Sequence, residues 1–215
     1  MPDPSRLYWN EIPSSKPTQG TAVVLHGRGT TGEDLMPLAP EIGLDGLRWI
    51  FPDAPFPFPG SSGRMWHGFS PDTEEGIRTS RRMLFDLLDH LIGREKVPAE
   101  KLALMGFSQG AVMSLDVGLR YHKTLAMIVA LSGYLPLADR LSKEKSAASS
   151  QVPILLLHGT EDDVVPVEGS RKAHITLLKE GYPAQLFEYP MGHTVIPEEI
   201  QLIRNELKTA LRLTD

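Results

Sequence analysis

The stretch from Leu102 to Met113 reads LALMGFSQGAVM: an apolar run, then Gly106–Phe107–Ser108–Gln109–Gly110, then apolar residues at helical spacing. A serine with glycine two positions away on either side, between a strand and a helix, suits a sharp turn. Such a turn lifts the hydroxyl clear of the sheet edge and aims the positive end of the helix at it. A serine hydroxyl is a weak nucleophile near neutral pH, so it needs a base, and the base needs an orienting carboxylate. In this context both follow the serine in the chain, acid first. The base is His193, presented by the tight lead-in Pro190–Met191–Gly192. The acid lies in His158–Pro166, where Glu161, Asp162 and Asp163 compete; Asp162 is favoured, but spacing from the preceding strand does not decide among them. Acyl transfer also needs donors for a developing oxyanion. The amide of Gln109 is one, and the glycine-rich His26–Gly27–Arg28–Gly29 offers the amide of Arg28 as the other. His26 precedes Ser108 in the chain and reads as a brace for its loop. The plainer alternatives are a loop serine capping a helix and a solvent-facing histidine.

These residues require elements that bring them to one edge. Short apolar, β-branched runs alternate with segments of helical period, the pattern of βαβ units around a parallel sheet. Strands are expected at 21–25, 47–51, 101–105, 125–131, 152–157 and 184–189, with an edge strand at 6–12. Several are apolar throughout, as strands covered on both faces should be. Helices are expected at 73–92, 109–121, 167–180 and 197–213. The proline- and glycine-rich stretch 52–71 has to be an irregular loop, and loops this long in compact domains are usually functional. Its Phe56, Phe58, Met65, Trp66 and Phe69, together with Leu135 and Val164, are candidates to face an acyl chain; the alternative is that they pack the loop on its own body. The small, charged stretch 139–150 reads as a solvent-facing connector.

Composition bounds what this machinery serves. The chain has 215 residues, 41% apolar and 23% charged, with a net charge of -5 spread along its length. That suits one globular domain spanning 1–215 and argues against a nucleic-acid partner. With no cysteine there is neither a thiolate nucleophile nor a disulfide. The remaining histidines, His67, His90, His122, His158 and His174, lack the spacing of metal ligands, so neither metal nor cofactor is expected. The N-terminus lacks the pattern of an export signal and no apolar run approaches membrane-span length, which makes a cytoplasmic protein without integral membrane contact the expectation.

Together the motifs resemble the phospholipase/carboxylesterase family of α/β-hydrolases, which includes acyl-protein thioesterases. The resemblance rests on Leu25–Gly29, Phe51–Pro55, Gly106–Gly110, Leu131–Pro136, His158 to Pro166 and Gly192–His193, in the family's order along nearly the whole chain. It implies an α/β-hydrolase fold with a mostly parallel sheet, helices on both faces and no separate lid domain. In the family's H-G-x-x-D-x-x-V-P pattern the acid falls on Asp162, and the residue after His-Gly in the first loop, Arg28, gives an oxyanion amide beside that of Gln109. The implied activity is hydrolysis of a small-molecule carboxylic ester or thioester through an acyl-enzyme, without a cofactor. The expectation admits a homodimer. Two alternatives stay open: a binding protein that keeps the scaffold without turnover, and a serine hydrolase of other acyl bonds, such as a peptidase or lactonase. Departures from the family, Trp66–His67–Gly68, Ala111 and Arg28 through Thr30, border the acyl site and bear on substrate.

Overall fold

A computed structural model describes residues 7–69 and 73–214. Seven strands form one sheet in the order β1 (Trp9–Ile12), β3 (Leu47–Pro52), β2 (Gly20–Leu25), β6 (Leu102–Phe107), β7 (Met127–Leu131), β8 (Ile154–Gly159), β9 (Ala184–Tyr189). Only the β1–β3 pairing is antiparallel. A small antiparallel ribbon, β4 (Phe56–Pro57) with β5 (Arg64–Met65), lies within the long proline-rich loop. The helices are α1 (Leu38–Ile42), α2 (Thr73–Gly93), α3 (Gln109–Arg120), α4 (Leu141–Glu144), α5 (Glu168–Lys179) and α6 (Pro197–Ala210). Of the expected elements, Arg6 and the loop end at Ser70 and Pro71 lie outside the described residues.

The continuous apolar runs are explained by the pleat, which sends successive side chains to opposite faces. On one face Ala22, Val24, Ala103, Met105, Val129, Leu131, Leu155 and Leu157 pack with Ile42 of α1 and Ile203 and Leu207 of α6. Their neighbours turn the other way: Val23, Leu25, Leu102 and Leu104 meet Leu84, Leu88 and Leu91 of α2 and Met113 and Val117 of α3. Ile128, Ala130, Ile154 and Leu156 meet Leu115 and Leu119 of α3 and Ala173 and Leu177 of α5. This is the α/β-hydrolase arrangement, with no separate lid domain among the described residues.

The stretch 139–150 departs from the expected solvent-facing connector. It folds into α4 and two short 3-10 turns, with Leu141 and Ser149 buried. The cause lies in α3, which is buried on every side yet carries Asp116 and Arg120. Glu144 of α4 reaches Arg120 Nε at 2.8 Å and Arg78 Nη2 at 3.0 Å, while Asp116 is gripped by Arg81 at 2.6 Å and Arg120 at 2.9 Å. Charges this deep require partners, and the connector supplies one.

Candidate active site

Parallel strands end at one edge, and the register sets which loops meet there. Leu25 pairs with Gly106, Phe107 with Leu131, Leu131 with Leu157 and Gly159 with Tyr189. The loops carrying Arg28, Ser108, Asp162 and His193 therefore follow β2, β6, β8 and β9 at that one edge. Ser108 sits between β6 and α3 with φ 56° and ψ -118°, a backbone state that costs an L-residue on the order of 1–3 kcal/mol. Its amide is tied to the Leu131 carbonyl at 2.8 Å. The flanking glycines are needed for close approach. A Cβ on Gly110 would lie 2.0 Å from the Leu25 carbonyl oxygen, and one on Gly106 would lie 2.2 Å from that of Gly110.

Asp162 is the acid that reaches the histidine. His193 Nδ1–H donates to Asp162 Oδ2 at 2.7 Å, and Oδ1 accepts from the amides of Val164 at 2.9 Å and Val165 at 2.8 Å. The Asp162 side chain has no exposed surface, whereas Glu161 and Asp163 face solvent. Burial pushes the Asp162 carboxyl upward, but the Val165 amide, His193 and the Val164 amide outweigh it and hold the pKa below the usual value. The His193 ring lies over that of Phe107, the residue before Ser108, with centroids 4.7 Å apart. Among the described residues the Ser108 hydroxyl forms no hydrogen bond. Contacts of this kind often close only around substrate.

A second imidazole, overlooked by the sequence reading, touches the same carboxylate. His158 Nε2 lies 3.3 Å from Asp162 Oδ2 and donates to the Val165 carbonyl at 2.8 Å, while Nδ1 meets the Ser170 hydroxyl at 2.7 Å. Ser170 in turn donates to the Gly133 carbonyl at 2.9 Å, tying the acid loop to the loop after β7. The sequence signal for His158 is its position at the end of an apolar strand, four residues before Asp162.

The first loop is braced as its histidine suggests. His26 is buried, its Nε2 accepts from the Ala54 amide at 3.0 Å, and burial lowers its pKa so that it stays neutral. Gly29 donates to the Arg64 carbonyl at 2.8 Å and the Arg64 amide donates to the Thr30 carbonyl at 2.9 Å. Arg28 N–H has no protein acceptor among the described residues, and the Gln109 amide opens α3, where helix amides lack an internal partner. A Cβ on the adjoining Gly27 would stand 3.5 Å from Ser108 Cβ, which places the loop beside the serine.

Trp66 corrects the acyl-contact reading. Its side chain has no exposed surface, and Nε1–H donates to the His26 carbonyl at 2.9 Å. Its amide donates to Gln109 Oε1 at 2.7 Å, and Gln109 Nε2 donates to the His67 carbonyl at 2.8 Å. Trp66 thus pins the proline-rich loop to the first loop and to the start of α3, and its large ring is worth more buried than exposed. Leu135 is a second correction: only 8% exposed, it packs in the core with Ala111, Leu115 and Ala173. Phe69 and Val164 do lie at the surface, 61% and 58% exposed, and half-buried Met65 lines a recess of about 300 Å³ with Phe56, Gly68 and Gly76. No helix among the described residues is long and apolar enough to cross a membrane.

Comparison with known proteins agrees with this layout. An acyl-protein thioesterase 1 of Schizosaccharomyces pombe is 34% identical over 157 residues, covering 68% of this chain and 70% of that protein. The crystal structure of esterase PE8 superposes with a TM-score of 0.87 at 31% identity, covering 95% of this chain and 99% of the other. That of Zea mays acyl-protein thioesterase 2 gives 0.82 at 29% identity, covering 95% and 99%. Residues 10–211 match the phospholipase/carboxylesterase family model, and the chain belongs to that family.

Proposed function

We propose that residues 1–215 form one serine hydrolase of carboxylic esters and thioesters, working through an acyl-enzyme. The observation that carries this is the buried Asp162 carboxylate, clamped on one oxygen by two amides and bonded through the other to His193, on the same sheet edge as the strained Ser108. Ser108 Oγ attacks the carbonyl carbon as His193 Nε2 takes its proton, and the amides of Arg28 and Gln109 receive the oxyanion. His193 passes that proton to the departing alcohol or thiol. Water then enters, gives a proton to His193 and displaces the acyl group, and the returned proton restores Ser108. Asp162 keeps Nδ1 protonated, so that Nε2 has a free lone pair. Met65, Phe69 and Val164 are the proposed acyl contacts. The substrate is a small acyl ester or thioester; among the relatives, one is named a thioesterase and one an esterase.

A panel of p-nitrophenyl esters and acyl thioesters, with and without prior treatment by a fluorophosphonate, tests this. Turnover of both classes that the reagent abolishes is expected. No turnover of either, or turnover that survives the reagent, would contradict the proposal.

A further inference from the structure

The proposed function uses the main-chain amide of Arg28 and leaves its side chain without a task. Elsewhere in the molecule Arg48, Arg78, Arg81, Arg120, Arg140 and Arg171 are each held by carboxylates. Arg28 is exposed and makes no ion pair among the described residues. Its Cζ rests over the Phe69 ring, 4.6 Å from the centroid. Stacking of this kind steadies the guanidinium through its flat face and leaves the in-plane N–H donors free.

Two groups feel the charge. At His67 burial lowers the pKa and the Arg28 charge adds to that effect. At Tyr134 burial raises the pKa and Arg28 opposes it. The guanidinium stands over Phe69, and its charge reaches His67 and Tyr134, one side chain away from the Gly27–Arg28 segment that flanks Ser108. The Asp162 carboxylate, fully buried and bonded to His193, is no competitor for it.

We infer that Arg28 is a specificity-determining residue: its guanidinium binds a carboxylate or phosphate carried by the ester, within one arginine side-chain length of the scissile carbonyl. The planar fork of arginine, weakly hydrated and steadied by an aromatic ring, suits such oxyanions. This rests on the proposed serine hydrolase and narrows it to anionic esters and thioesters.

The test is a ratio of kcat/KM values within each enzyme preparation, so that a lower folded fraction or a weakened oxyanion hole cancels. On the acyl side, mono-p-nitrophenyl glutarate is compared with its methyl-capped neutral form, and a p-nitrophenyl ester ending in phosphate with its neutral analogue. On the thiol side, the butyryl thioester of 3-mercaptopropionate is compared with that of its methyl ester. The wild type should favour at least one charged member, and added salt should erode the preference. Arg28→Gln should lower that ratio by about 10- to 100-fold, the worth of a charge-assisted hydrogen bond, with Arg28→Lys in between. Arg28→Glu should reverse it toward an ammonium-ended ester. The pair that responds identifies carboxylate or phosphate, and acyl or thiol side. Ratios unchanged between wild type and Arg28→Gln for every pair, with neutral esters still hydrolysed, would overturn the inference and leave the hydrolase standing. Failure to hydrolyse any ester would instead remove the reading beneath it.

Discussion

Trp66→Phe should lower stability and slow every substrate by a common factor. The indole N–H is the donor to the His26 carbonyl, at a residue with no exposed surface. Phenylalanine leaves that oxygen without its donor inside the protein, a cost of about 1–3 kcal/mol. The space vacated by the smaller ring adds about 1 kcal/mol. For a chain of this length each kcal/mol moves Tm by about 2–4 °C, so a fall of roughly 5–15 °C is expected. Because His26 and Trp66 brace the segment carrying the Arg28 amide, loosening it should depress kcat for acetyl and octanoyl esters alike and leave the slope of kcat/KM against chain length unchanged. Thermal unfolding followed by circular dichroism gives the first quantity, and a p-nitrophenyl ester series gives the second. An unchanged Tm with activity lost only on the longer chains would refute the reasoning and put the indole back in the acyl groove.

Two further substitutions probe charges. In Asp162→Asn the amides of Val164 and Val165 hold the side-chain oxygen, so the NH2 must face His193 Nδ1 and impose the wrong tautomer; kcat should fall by about three to four orders of magnitude. Asp163→Asn and Glu161→Gln, at exposed positions, should be mild, and a crippling Asp163→Asn would shift the acid by one residue. Glu199 is buried, capping the Ile196 amide through Oε2, and burial raises its pKa from 4.5 to about 7. A raised carboxyl pKa favours the folded state while the group is protonated. That contribution, about 3 kcal/mol, is complete below pH 4.5 and lost as pH rises through 7. Glu199→Gln, which keeps a capping oxygen but cannot ionise, should flatten the dependence of urea unfolding on pH across this window; an unaltered dependence would assign it to other groups.

Much of the architecture is legible from sequence because the central strands are covered on both faces. Runs such as Leu102–Met105 and Ile154–Leu157 stand out, and the chemistry-bearing residues follow them at one edge. Which acid meets His193 is set by geometry that spacing does not encode: Glu161, Asp162 and Asp163 follow the same strand, and only the Asp162 side chain turns inward to meet His193. The proline-rich composition of 52–71 forbids regular structure, yet it does not say which aromatics point inward, and Trp66 and Phe69 went opposite ways. The 139–150 segment misleads because its small, charged residues read as solvated, whereas Glu144 answers arginines on two other helices. Long-range partnerships of that kind leave no local pattern.

The central claim, that Ser108 is the nucleophile activated by His193, is tested most directly by mass spectrometry of the protein after reaction with a fluorophosphonate. The account predicts one adduct, on the peptide containing Ser108, and its loss together with all esterase turnover in Ser108→Ala. An adduct on a different serine, or turnover that persists in Ser108→Ala, would contradict it.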